Sequence, residues 1–360
     1  MNKRIGFIDA MRGMTMFLVV VAHVMTFGLG INAEKSVLGS ILITFRMPTF
    51  FLISGFVAYK SLDHWTTRYY LNTLWKKILI LVIPTSIFFS TLYITKGQNP
   101  ITQFFTNGFV EYWFMLVLLE IFLIYLTINF FCKQLQLNEK CANIIFLLII
   151  LVGWYLYFNK FVYINTGLRR ILSVGKLVTY FQYFILGVLT RKFWAQINSF
   201  LQQDWIKTLS ICLFTVAMII IWKIDWTQTN TLYYKIIHDV VVRYLGLVVF
   251  FMIFMNSSHY FDYGMTKNEK EQIFSKILKF IGERTMDIYL IHYFFLPRSG
   301  AYKEFSNMMF YFFECNNNIV LETLVVVVLS SLIIAITLGV SYMLRQSKFL
   351  AHYLFGAKTY

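Results

Sequence analysis

Residues 7–24 read FIDAMRGMTMFLVVVAHV. Ten residues without a charge separate Arg12 from His23. A helix apolar around its whole circumference fits a hydrocarbon solvent better than a protein surface. Arg12 and His23 are eleven positions apart, three helical turns plus about 20°, so one face carries both, about 16 Å apart along the axis. Asp9 precedes Arg12 by three positions and can pair with it. This is not a cleaved signal peptide: Asp9, Arg12 and His23 interrupt it, and no small-x-small site closes it.

The same chemistry runs through the chain. Of its 360 residues 58% are hydrophobic and 14% charged, against about 25% charged in a soluble domain. Too few polar residues remain to cover a soluble exterior. The 38 Phe, 23 Tyr and 8 Trp include many that suit the aromatic belts of a bilayer. The net charge of +15 fits cytoplasmic loops facing anionic lipid, and no separate basic stripe points to nucleic acid. The four cysteines form no CxxC pair, and only Cys315 is expected in an outer loop, which argues against a disulfide framework. No HExxH or Cys/His cluster points to a metal, and no P-loop, GxSxG or GxGxxG stands in a suitable context.

About 20 apolar residues cross a bilayer as a helix. That criterion predicts an all-α bundle of about ten transmembrane helices, near 8–30, 37–59, 77–95, 110–131, 142–158, 171–190, 206–222, 236–256, 277–296 and 320–343. Alternate loops carry most of the Lys and Arg, among them Lys60, Arg68, Lys76, Lys77, Lys133, Lys140, Arg191 and Lys192. These loops and both termini are therefore expected in the cytoplasm, in a plasma-membrane protein. One outer loop breaks the bias with Lys160, Arg169, Arg170 and Lys176. It binds an anionic group such as a lipid pyrophosphate, or it is tolerated because downstream loops affect topology weakly. No repeat and no attached soluble domain is visible, so residues 1–360 read as one transmembrane domain.

An ionisable residue at mid-bilayer costs at least ~2.5–3.5 kcal/mol, which makes each a functional candidate. The second helix reads ITFRMPTFFLISGFV, residues 43–57, with Arg46 at about the depth of His23 and Pro48 expected to disturb the helix. The fourth opens with EYWF: Glu111 would orient a base or accept a sugar hydroxyl, and Trp113 stacks on a sugar or anchors the interface. Glu120 lies deeper. Asp239 and Arg243 stand i,i+4 and would form an ion pair. The ninth reads IGERTMDIYLIHYFF, residues 281–295, and sets His292 at the depth of His23.

DAMRGMTMFLVVVAHV, FRMPTFFLISGF, YWFMLVLL and IGERTMDIYLIH together resemble the acyltransferase-3 family of integral membrane acyltransferases. FQYFILGVLTRK, residues 181–192, fits as well. The first two motifs jointly are specific, and the likeness spans nearly the whole chain. It implies transfer of an acyl group, usually acetyl from acetyl-CoA, to hydroxyls of cell-surface glycans or lipid-linked precursors. Two departures stand out. Many members carry paired basic residues before the proline ending the third helix, where this chain has WKKILILVIP with Lys76 and Lys77. Others carry a hydrolase-like domain after the membrane part.

On this reading Arg12, with Lys76 and Lys77, holds the phosphates of acetyl-CoA. His23 is the general base, an imidazole whose ordinary pKa of about 6.5 suits a sugar hydroxyl at neutral pH. An acyl-His23 intermediate is a variant. Arg46 would stabilise the oxyanion and Glu111 would orient His23 or the acceptor. Trp113, His292, Arg169 and Arg170 would bind the acceptor. A transporter or flippase of lipid-linked sugars is the alternative, although it should show repeat symmetry or matched broken helices. An assembly protein for envelope glycans is a third.

Overall fold

The computed structural model describes residues 5–31, 36–159, 171–223, 237–261, 273–297 and 318–356, with isolated positions near 167 and between 304 and 312. Every regular element among the described residues is helical. In chain order these are α1 Gly6–His23, α2 Val37–Ala58, α3 Thr67–Thr95, α4 Pro100–Asn107, α5 Trp113–Gln134, α6 Glu139–Phe158 and α7 Val174–Lys192. Then follow α8 Trp194–Leu201, α9 Asp204–Lys223, α10 Arg243–Asn256, α11 Ile273–Glu283, α12 Thr285–Ile291, α13 Ile319–Arg345 and α14 Lys348–Phe355.

Six of these stretches are long and apolar enough to cross a membrane, and a seventh if the bent pair α8–α9 counts as one span. The other stretches read as spans are broken or charged. α7 carries Lys176, Arg191 and Lys192. The apolar run Val240–Asn256 is short. The ninth predicted helix is interrupted at Arg284 and passes into a 3-10 turn at His292. Exposed faces confirm the apolar solvent. Leu147, Leu148, Leu151 and Val152 project outward from α6, and Leu324, Val328 and Leu332 from α13. Stripes of this length on a water-facing surface would drive association. The protein is a multi-pass membrane protein.

The chain divides into two compact units, Met1–Ile53 with Phe193–Ser341, and Ser54–Lys192 with Tyr342–Tyr360. In the first unit α1 packs along α11 and continues beside α12. Gly13 and Gly282 make this approach possible. A Cβ on Gly13 would overlap the carbonyl oxygen of Leu278, and one on Gly282 would overlap that of Asp9. Backbone-to-backbone contact through small residues is how helices gain packing energy in lipid, where burial of apolar surface gives none. Phe7 stacks on Trp194 and meets Phe251 edge-on, tying α1 to α8 and α10. Phe45 stacks on Phe250, which fixes the first half of α2 against α10. Pro48 is absorbed in a continuous α2 rather than breaking it. It still leaves the Thr44 carbonyl without an i+4 amide donor.

In the second unit α3 and α5 lie antiparallel, with Tyr70 stacked on Phe130 at one end and Tyr93 bonded to Glu111 at the other. α3 begins at Thr67, ten residues earlier than the hydropathy boundary, because the Thr66 hydroxyl caps it by accepting from the Tyr69 amide at 3.2 Å. Lys76 and Lys77 therefore belong to a helix and not to a loop. Gly55 brings α2 onto the Phe184 carbonyl of α7, where a Cβ would overlap. Tyr59, just past the end of α2, has its hydroxyl pushed above its ordinary range by burial and by the Glu139 carboxylate.

Candidate active site

α1 ends at His23 and the chain then widens into a π-helical turn, Val24–Gly28. Such turns are frequent at functional sites. Here it carries Phe27 to within 5.3 Å of the His23 ring. Across from it α12 delivers His292. The two imidazoles are nearly coplanar and meet edge to edge, with centroids 5.1 Å apart and an interplanar angle of 12°. His23 Nδ1 lies 2.8 Å from His292 Nε2. His292 Nδ1 lies 2.9 Å from the Ile288 carbonyl oxygen, one turn back. His292 is wholly buried, and Tyr293 closes the cluster at 4.2 Å from the His292 ring and 5.2 Å from that of His23. The Arg46 guanidinium lies within electrostatic range of His23, with Nη1 buried. Three separate sequence segments thus bring two imidazoles and a cation together.

Eleven residues back along α1, Arg12 Nη1 pairs with Asp9 at 3.4 Å. Asp9 is nearly buried while the Arg12 side chain keeps 29% exposure, enough to meet a second anion. α12 carries a related arrangement. Asp287, also buried, receives the Ser341 hydroxyl and stands 3.8 Å from Arg284.

The second unit holds the other predicted residues. Glu111 accepts the Tyr93 hydroxyl at 2.8 and 2.9 Å and the Lys96 ammonium at 3.2 Å. Trp113 stacks on Tyr180 at 5.4 Å and receives Lys176 at 4.2 Å from its ring centroid. Stacking against a sugar would therefore compete with these neighbours. Lys77 Nζ sits 3.7 Å from the Phe122 centroid, and Lys76 is exposed. Both Glu120 oxygens are buried without a hydrogen-bond partner. A pocket of about 790 Å³ opens among Asp63, Trp65, Lys133 and Glu139. Lys133 is matched there by Asp63, and Glu139 by Lys192, so the pocket offers no surplus positive charge to a phosphate. Arg169, Arg170 and the side chains of His238 and Asp239 lie outside the described residues, and with Asp239 the expected pair to Arg243.

A family model described as an acyltransferase domain, that of the acyltransferase-3 family, matches residues 5–344. The chain belongs to the acyltransferase-3 family. No curated protein and no solved structure matches it. Membership makes it an acyltransferase. The match runs through both compact units.

Several residues at this acyltransferase's candidate site escaped the sequence reading. Tyr93 and Lys96, the partners of Glu111, sit where the third helix ends, and neither is intramembrane charge of the kind that draws attention. Tyr293 and Phe27 are aromatics among 69 in the chain. Gly13 and Gly282 did leave a signal. Each stands ten residues before a histidine, in GMTMFLVVVAH and GERTMDIYLIH.

Proposed function

We propose that this membrane acyltransferase moves an acetyl group from cytoplasmic acetyl-CoA to a hydroxyl of a cell-envelope sugar or lipid-linked glycan precursor. The observation that carries the reading is the imidazole pair His23–His292 beside Arg46, on the segments that carry the family's motifs. His23 is the general base that takes the proton of the attacking hydroxyl. The oxygen attacks the thioester carbonyl, the C–S bond breaks, and the proton passes to the departing thiolate. Coenzyme A leaves with its thiol restored. Arg46 faces the oxyanion of the tetrahedral intermediate, where a fixed cation in a dry site is most effective.

Arg12, with Lys76 and Lys77, binds the coenzyme's phosphates. Its partial exposure supports this role, since a guanidinium that solvent can reach can meet an anionic phosphate. Glu111 and Trp113 hold the acceptor, with His292 and the Arg169–Arg170 pair completing its surroundings. The assignment places the protein in the plasma membrane with both termini in the cytoplasm. Ten spans result if α7, the bent pair α8–α9, α10 and the broken stretch Ile273–Phe295 each cross with the six long helices.

Purified protein given acetyl-CoA labelled in the acetyl group should release labelled acetate slowly, and should transfer label to an envelope glycan fraction. No consumption of acetyl-CoA in the presence of that fraction would overturn the donor assignment. Arg12→Ala should raise KM for acetyl-CoA about 10-fold or more, as expected for a lost charge-assisted contact, and leave KM for the acceptor nearly unchanged. Equal losses for both substrates would refute the role of Arg12.

A further inference from the structure

His292 was assigned above to the surroundings of the acceptor, but its contacts give it a sharper task. A backbone carbonyl only accepts, so the 2.9 Å contact to Ile288 requires the proton on His292 Nδ1. His292 has no exposed surface. With protons on both nitrogens it would be a fully buried imidazolium, one ring away from a His23 already within range of the Arg46 guanidinium. Among the described residues no carboxylate acts on it, and burial of such a charge without a counter-ion is prohibitive. His292 is then neutral, its Nε2 is a lone pair, and the 2.8 Å contact must be donated by His23 Nδ1–H. His23 therefore keeps its own lone pair on Nε2.

We propose that His292 is a positioning residue that locks His23 in the Nδ1–H tautomer and so aims Nε2 at the acceptor hydroxyl. The chain of donation runs from His23 Nδ1–H to His292 Nε2 and from His292 Nδ1–H to the Ile288 carbonyl. It has the layout of a catalytic triad, with a neutral imidazole standing where a carboxylate usually orients the base. When Nε2 takes the hydroxyl proton, the imidazolium on His23 keeps its Nδ1–H bond to a lone pair on His292. When Nε2 returns that proton to the thiolate, His23 is restored in the same tautomer, and no second proton moves. The near-coplanar, in-line contact at 12° suits a straight N–H···N bond, and the flanking rings of Phe27 and Tyr293 hold both planes against rotation.

This inference rests on His23 being the general base, and two measurements keep the claims apart. The chain has six histidines, few enough for ¹⁵N-histidine NMR of the detergent-solubilised full chain to assign each tautomer by single replacements. His23 should report Nδ1–H in the unsubstituted protein and Nε2–H in His292→Met, which fills the space without an acceptor. Transfer kinetics should follow. His292→Met should lower kcat by about 10²-fold or more with KM for acetyl-CoA unchanged. His292→Gln, whose amide oxygen can stand near the lost Nε2, should restore most of that loss. An Nε2–H signal from His23 in the unsubstituted protein would overturn the proposal, as would a His292→Met enzyme within twofold of full kcat. If His23 reports Nδ1–H but His23→Gln still transfers acetyl at full rate, the locked pair stands and the assignment of the base fails.

Discussion

Replacement of His23 by glutamine should lower acyl transfer by about 10³-fold, within the range that one general base contributes. Glutamine is the informative choice. Alanine would leave the His292 Nε2 acceptor buried and unmatched, at a cost of about 1–3 kcal/mol, and would mix a folding defect with a chemical one. The glutamine amide can still donate to His292, so the pair of helices keeps its contact while the lone pair that accepts a proton is gone. The loss should fall on kcat, with KM for both substrates within a few-fold, because the missing interaction exists only while the proton is in flight. Steady-state transfer kinetics test this, with gel filtration and thermal unfolding as controls on the fold. A folded His23→Gln protein with full kcat would remove His23 from the chemistry. Only hydrolysis of acetyl-CoA retained, without transfer, would point instead to water reaching the thioester unaided.

The sequence was most legible where membrane chemistry is most restrictive. Charge on an apolar helix is rare enough that Arg12, His23, Arg46 and His292 stand out by position, and His23 meets His292 within electrostatic range of Arg46. Legibility failed where local hydropathy and architecture part company. Hydropathy starts the third helix near residue 77, at the edge of the basic pair Lys76–Lys77, but the Thr66 cap starts it at Thr67 and Lys77 finds the Phe122 ring. Pro48 is expected to disturb its helix, and the disturbance is confined to one missing amide inside a continuous α2. The stretch around His292 read as one span, whereas Arg284 and the 3-10 turn cut it into three pieces. The partners of Glu111 were hidden for another reason. Tyr93 and Lys96 come from a neighbouring helix end, and only the antiparallel register of α3 and α5 makes them meet it.

The glycines yield the second large effect. His23 stands ten positions after Gly13 on α1, and His292 ten positions after Gly282. The contacts Gly13–Gly282 and His23–His292 thus share one register, with partners 269 positions apart in each. α1 and the α11–α12 segment consequently run parallel and in step from the glycine crossing to the imidazole pair, despite the interruption at Arg284. A side chain at the crossing must push the helices apart, because what it meets is backbone: the Asp9 carbonyl for Gly282 and the Leu278 carbonyl for Gly13. Gly282→Val should destabilise the protein by about 3 kcal/mol or more, at or beyond the upper end of ordinary overpacking. Even the fraction that folds should lose acyl transfer, since a shift of about 1 Å in the pair is enough to cost 10²-fold. Gly339→Ala is the control. It lies within α13 with nothing near its would-be Cβ, and it should be neutral or slightly stabilising through helix propensity. Thermal unfolding in detergent together with transfer activity measures both. A Gly282→Val protein as stable and as active as the Gly339→Ala control would show that the crossing does not set the register of His23 and His292.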